Sequence, residues 1–95
     1  MTRALYAEFT VLPGSASAVA VLVSSLTAAV RTEPGCLAFE PYLTAPGEYF
    51  VYEVYRDGAA FAEHVSSAHS REFNAALAGH VAGGGSRLTW LEPVG

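Results

Sequence analysis

Residues 31–73 read RTEPGCLAFEPYLTAPGEYFVYEVYRDGAAFAEHVSSAHSREF, and this stretch is the strongest evidence in the sequence about the fold. Residues 36–43 and 48–56 are rich in aromatic and β-branched side chains, which favour strands. Between them, residues 44–47 form a turn sequence in which proline presets φ and glycine supplies a positive φ. Asp57 then suits the N-cap of a short helix that runs through Val65. The stretch therefore predicts a β-hairpin followed by a helix.

The flanking sequence supplies the remaining elements. Leu5, Ala7, Phe9 and Val11 alternate with polar or smaller residues, as in a half-buried strand. Residues 16–30 repeat apolar side chains at helical spacing behind a possible Ser15 cap, and residues 88–92 suit a last strand. Ser66 or Ser67 can cap a second helix of the pair, which we expect to end at the glycines 83–85 and to carry Phe73, Ala76, Leu77 and Val81.

The predicted order is β-α-β-β-α-α-β without an internal repeat. It indicates an α+β, ferredoxin-like split β-α-β sandwich, with helices on one face of a four-stranded antiparallel sheet. The third strand is apolar on both faces, one formed by Phe50, Tyr52 and Val54 and the other by Tyr49, Val51 and Tyr55. In a monomer one of these faces would have to lie in water, so we expect a homodimer that packs sheet on sheet.

Length and composition narrow the class of protein. Ninety-five residues suit one domain, residues 1–95. The net charge is -4 and all five basic residues are arginines, so we expect no nucleic-acid partner. The apolar segment 16–30 is shorter than the roughly 20 residues of a membrane span and follows a strand, which argues against an anchor or a signal peptide. Together with the single cysteine, Cys36, this makes the cytoplasm the expected location.

The three histidines do not have the spacing of a metal site. His64 and His69 are five residues apart with a helix break between them, and His80 follows His69 by eleven residues, about 16 Å along a continuous helix. No cysteine or carboxylate in the sequence pattern completes a set of ligands. We therefore expect no metal ion.

Glu53 and His64 are the candidate catalytic residues. Alternation places Glu53 among apolar neighbours, where desolvation would raise its pKa and suit it to proton transfer. It could instead be a structural carboxylate paired with Arg31, Arg56 or an arginine of a second subunit. His64 ends the first short helix and could point beneath the sheet as a base or donor, or could be a half-buried histidine with a structural hydrogen bond.

Aromatic side chains are numerous enough to line a pocket for a flat ring. Besides Phe39, the candidate lining residues are Tyr42, Tyr52, Phe61, Phe73 and Trp90, with core packing as the alternative role for most of them. His69 is a further candidate for substrate binding, with a helix cap or a surface position as the alternative role, and His80 is expected on the surface of the second helix. Motifs for phosphate, dinucleotide or nucleophile-elbow chemistry are missing.

Three motifs in order resemble the antibiotic biosynthesis monooxygenase (ABM) domain family: RTEPGCLAFE at residues 31–40, YEVYRDGAAFAEHV at 52–65 and SAHSREF at 67–73. Members of that family include enzymes that oxidise quinols or polyketide anthrones with molecular oxygen, without flavin, haem or metal. The resemblance implies a dimeric α+β barrel that needs no cofactor, with a pocket between sheet and helices in each subunit. The matching positions are Glu53, His64, His69 and Phe73, of which His64 is the first candidate.

The chain departs from two groups of relatives. Haem-degrading relatives carry an axial histidine and a tryptophan in the pocket. At the matching positions this chain looks to have Asn74 and His64, so we do not expect it to bind haem. The asparagine that several relatives carry in the first strand is missing. Two functions follow as hypotheses: a cofactor-independent monooxygenase for a small aromatic quinol or anthrone-like substrate, or a non-catalytic barrel that binds a small aromatic metabolite.

Overall fold

A computed structural model describes residues 1–95. The strands are β1 (Arg3–Thr10), β2 (Cys36–Ala45), β3 (Glu48–Tyr55) and β4 (Arg87–Leu91). The helices are α1 (Ala16–Val30), α2 (Gly58–Ser66) and α3 (Ala68–Leu77), and a short 3-10 turn spans Ala82–Gly84. The predicted element order is confirmed, with strand ends shifted by one or two residues.

The four strands form one antiparallel sheet in the order β2-β3-β1-β4, and the helices cover one of its faces. This is the predicted α+β, ferredoxin-like arrangement. On the covered face, Leu5 of β1 stands opposite Glu53 of β3 on one side and Trp90 of β4 on the other. Buried apolar residues of α1 complete the core beneath β1 and β3: Val19, Val23 and Val30.

The second face of the sheet has no cover within the chain. Tyr6 and Phe50 stack across β1 and β3 there, with ring centroids 4.8 Å apart. Tyr42 is 57% exposed and Tyr52 is 37% exposed on the same face. Large apolar side chains in water are the feature from which we predicted a sheet-to-sheet homodimer, and that assembly stays a prediction.

The end of α3 differs from the prediction. The helix ends at Leu77, so Val81 is not part of it and instead pairs with Val11 in an isolated bridge. Because the bridge needs extended backbone at Val81, the chain leaves the helix well before the glycines at 83–85. Gly83 and Gly84 have φ of 75° and 77° and form the 3-10 turn that leads to β4.

His80 and Ser15 also differ from their predicted roles. Beyond the end of α3, the Nδ1 atom of His80 lies 2.8 Å from the Ser15 hydroxyl, so His80 is not a helix-surface residue. The Ser15 side chain makes no capping bond to α1. This contact ties the start of α1 to the segment that follows α3. None of the helices is long and apolar enough to cross a membrane.

Candidate active site

A cavity of about 340 Å³ lies between the covered face of the sheet and the helices. This volume is at the lower end of the range of small-molecule sites, roughly 300–1,000 Å³. Its walls are mostly apolar, and the aromatic members are Phe9, Phe39, Phe61 and Phe73. The polar side chains of the wall are few: Glu53, His64, Ser70, Ser86 and Asn74. A flat aromatic molecule would therefore meet a ring-lined space with polar groups at a few points.

His64 is held by a carboxylate on the side away from the cavity. Its Nδ1 atom lies 3.0 Å from Glu33 Oε2, and its side chain is only 11% exposed. A carboxylate can only accept, so this contact places the imidazole proton on Nδ1. The other nitrogen, Nε2, lies 3.8 Å from Glu53 Oε1. That distance exceeds a hydrogen bond, so the lone pair of Nε2 is left to accept from a molecule in the cavity.

Gly35 explains how Glu33 comes to lie beside His64. The segment after α1 turns back through backbone bonds from Glu33 N to Val30 O and from Cys36 N to Glu33 O. A Cβ atom at Gly35 would clash with Ala60 Cβ, so only glycine allows this loop to touch α2 so closely. His64 follows Ala60 by one helical turn and lies on the same side of α2. The contact between loop and helix thus positions Glu33 against the imidazole.

His69 reaches the same carboxylate from the next helix. Ser67 ends α2 and caps α3, because its hydroxyl accepts from Ser70 N and donates to His64 O. This break turns the chain so that His69 Nε2 lies 2.5 Å from Glu33 Oε2, with the His69 side chain 31% exposed. One carboxylate oxygen therefore contacts two imidazoles, and the set runs from the surface to the cavity wall.

Glu53 is a buried acid whose partner is a tyrosine. The residue is 5% exposed, and the Tyr55 hydroxyl donates to its Oε1 atom at 2.7 Å. Burial raises the pKa of Glu53 above its usual range, and the Tyr55 bond and the nearby His64 offset this only in part. Neither of the two intrachain arginines named as possible partners reaches Glu53, because Arg31 pairs with Glu40 and Arg56 with Asp57. The hypothesis of a pair with Arg31 or Arg56 is therefore wrong, and a pair with an arginine of a second subunit stays a hypothesis.

The structure brings together only some of the predicted substrate-binding residues. Phe61 and Phe73 line the cavity, but Tyr42 and Tyr52 lie on the opposite face of the sheet, because they alternate with the residues that face the helices. Trp90 is on the covered face and packs edge-on against Phe61 at 4.7 Å, behind the cavity wall. His69 turns toward Glu33 and does not line this cavity.

Glu33 is the site residue that sequence reasoning missed. We expected no carboxylate to complete a set with the two histidines, and that expectation is wrong. Glu33 is 31 residues from His64 and 36 from His69, so no local spacing pattern could have paired them. The available signal was the RTEPG turn, in which a carboxylate stands two residues before a glycine that permits close backbone approach.

Together these groups can move a proton at the cavity wall. An imidazole with its Nδ1 proton bound to a carboxylate is oriented as a general base, the arrangement found in hydrolytic triads. A protonated Glu53 a few ångströms away can donate a hydrogen bond to a developing anion. The apolar surroundings strengthen both interactions, because little water competes for them.

Comparison with known proteins supports the resemblance seen in the motifs. The family model described as Antibiotic biosynthesis monooxygenase matches residues 2–76. A Mycobacterium tuberculosis protein named "Putative monooxygenase Rv0793" is 33% identical over 73 residues, which are 76% of this chain and 72% of that protein. The Rv0793 structure superposes with a TM-score of 0.92 at 28% identity and covers all of this chain and 97% of its own.

A further solved structure shares the fold. PA3566 from Pseudomonas aeruginosa superposes with a TM-score of 0.89 over 99% of this chain and 95% of its own, at 24% identity. Such a likeness speaks for the fold alone. The family match, by contrast, covers residues 2–76, which include Glu33, Glu53, His64 and His69. The chain belongs to the antibiotic biosynthesis monooxygenase family.

Proposed function

We propose that this protein is a cofactor-independent monooxygenase that oxidises a small aromatic quinol or anthrone-like compound with molecular oxygen. The observation that carries the proposal is the pair formed by Glu33 and His64 at the wall of an aromatic-lined cavity. Glu33 fixes the Nδ1 proton, so Nε2 is the nitrogen that can take a proton from a bound molecule. Membership of the monooxygenase family supports oxygen as the co-substrate.

The proposed reaction begins with the loss of a proton from the substrate. His64 Nε2 accepts the proton from the acidic methylene of an anthrone, and the resulting electron-rich anion gives electrons to oxygen. Over the whole reaction the methylene becomes a carbonyl, a four-electron oxidation. One oxygen atom enters the carbonyl and the other leaves as water, so the substrate supplies all the electrons and no external reductant is needed.

Glu53 is assigned the role of hydrogen-bond donor to the anion. Its raised pKa favours the protonated acid. The Oε1 atom of Glu53 already accepts a hydrogen bond from the Tyr55 hydroxyl. The proton on the second carboxyl oxygen is then free to bind the substrate oxygen on which negative charge develops. A neutral acid also avoids the repulsion that a carboxylate would exert on the substrate anion.

The proposed enzyme acts as a homodimer through the uncovered face of the sheet. Support comes from the exposed rings there, including Tyr42 and Tyr52. Because these two rings lie opposite the cavity, we assign them to the subunit interface and not to the substrate. Light scattering tests this part separately, and a monomer at micromolar concentration would contradict it.

The test of the activity is oxygen uptake with a panel of anthrones and quinols, for the wild type and for His64→Ala. His80→Ala is the matched control, because it removes a histidine outside the cavity. We expect turnover of at least one compound, a large loss in His64→Ala and wild-type rates in the control. Micromolar binding of a panel member without any oxygen uptake would refute the enzyme and favour the non-catalytic binding protein.

A further inference from the structure

We propose that Glu33, His64 and His69 bind one divalent transition-metal ion, such as Zn²⁺, and that the bound ion inhibits the enzyme by altering His64. The starting observation is the juxtaposition of three side chains, all of types that bind such ions. One ligand atom from each residue, two imidazole nitrogens and a carboxylate oxygen, lies within 4.8 Å of the others. Two histidines and one carboxylate are a set suited to Zn²⁺ and to other borderline ions.

The distances require only side-chain adjustment. Ligand atoms around a tetrahedral zinc ion with bonds of about 2.0–2.1 Å lie about 3.3 Å from one another. Glu33 Oε2 is 3.0 Å from His64 Nδ1 and 2.5 Å from His69 Nε2, so these pairs have to open by about 0.3 and 0.8 Å. The remaining pair of nitrogens is at most 4.8 Å apart, and has to close by no more than about 1.5 Å.

Exposure and charge favour entry of an ion from solvent. The His69 side chain is 31% exposed and marks the outer end of the cluster, while Glu33 and His64 are 14% and 11% exposed. The carboxylate supplies negative charge in a chain whose net charge is -4. Solvent at the outer end can complete the coordination shell, as water does in sites with three protein ligands.

The ion would lie behind His64 as seen from the cavity. The atom of His64 that would bind the ion is Nδ1, which points to Glu33. The cavity is lined by His64 and Glu53 but not by Glu33 or His69. Coordination takes the Nδ1 lone pair, so the proton that Nδ1 carried moves to Nε2 and the imidazole stays neutral. The nitrogen that faces the cavity thereby changes from acceptor to donor, and His64 can no longer act as a base.

The inhibitory step rests on the proposed function, but metal binding does not. Calorimetry with tag-free, chelator-treated protein and ZnCl₂ measures binding without any substrate. We expect one ion per chain in the wild type, and affinity lower by about 100-fold or more in His69→Ala and in Glu33→Gln, since each loses a ligand. His80→Gln, which removes the one histidine outside the cluster, should bind Zn²⁺ as the wild type does.

Two outcomes would overturn the inference. If Zn²⁺ binds the wild type no more tightly than His69→Ala and Glu33→Gln, with all variants folded by circular dichroism, the cluster is not the site. If an ion binds at the cluster and oxygen uptake is unchanged at saturating Zn²⁺, the inhibitory step is wrong. A chain that oxidises no substrate would still pass or fail the calorimetric test, so the two proposals fail separately.

Discussion

Replacement of Tyr55 by phenylalanine tests the state of the buried acid at the cavity wall. The Tyr55 hydroxyl is the only protein donor to Glu53, at 2.7 Å, and both residues are at least 95% buried. Tyr55→Phe keeps the ring that packs against Phe61 and removes one oxygen. A hydrogen bond to a neutral group contributes about 0.5–1.5 kcal/mol and one to a charged group about 1.5–3 kcal/mol. The free energy of unfolding should fall by an amount that depends on the protonation of Glu53.

The pH dependence of this loss has a definite sign. Burial raises the pKa of Glu53, so its protonated form contributes stability that is complete below the unfolded value of about 4.3 and is lost as pH rises through the folded value. The Tyr55 bond lowers that pKa, and its removal therefore costs most where Glu53 would be ionised. We expect a loss of about 1 kcal/mol near pH 4 and about 2–3 kcal/mol near pH 9.

Urea unfolding of the wild type, Tyr55→Phe, Glu53→Gln and the double variant across this pH range measures the effect. Glutamine at position 53 keeps a carbonyl for the Tyr55 hydroxyl and cannot ionise, so the loss caused by Tyr55→Phe should be independent of pH in that background. The coupling between the two changes should be about 0.5–3 kcal/mol at high pH. Equal losses at both ends of the pH range in the native background would refute the proposed coupling between the Tyr55 hydrogen bond and the ionisation of Glu53.

Two further changes test how the site is positioned. Gly35→Ala places a methyl group against Ala60 and should lower the free energy of unfolding by about 1–3 kcal/mol through overpacking. Gly79→Ala is the control, because the space around Gly79 is open and no loss is expected. Equal losses of the two variants in chemical denaturation would contradict the close approach of Gly35 to Ala60. Ser67→Ala removes the cap of α3 and should lower the free energy of unfolding by about 1 kcal/mol. Ser66→Ala should cost less, because the Ser66 hydroxyl bonds only within α2. Equal losses of stability in a thermal scan would argue against the cap.

Most of the fold could be predicted from the sequence because its determinants are local. The alternation in Glu48–Tyr55, the Pro46-Gly47 turn and the Asp57 and Ser67 caps each act over a few residues, and the structure confirms them. The predicted end of α3 was wrong because a tertiary contact determines where this helix ends. The bridge between Val81 and Val11 draws the chain into extended backbone before the glycines that we expected to end the helix.

The candidate site was only partly predictable for the same reason. Alternation along β3 was enough to place Glu53 on the covered face, and the end of α2 was enough to suggest that His64 turns inward. The partners of both groups depend on contacts that no spacing pattern records. Glu33 comes from a loop 31 residues before His64. The donor to Glu53 is a tyrosine two residues away on the same strand face, whereas the sequence suggested an arginine only as one possible partner.

The steady-state rate of oxygen uptake by Glu33→Gln, with a substrate identified in the panel, tests directly whether Glu33 orients His64 as the base. The glutamine amide of this variant can donate a hydrogen bond to Nδ1, which would place the His64 proton on Nε2, the nitrogen that faces the cavity. If Glu33 orients His64 as the base, kcat should fall by roughly 10²–10⁴-fold, as in His64→Ala, with little change in substrate affinity. Wild-type kcat in Glu33→Gln would contradict the role of Glu33 in holding His64 as the catalytic base.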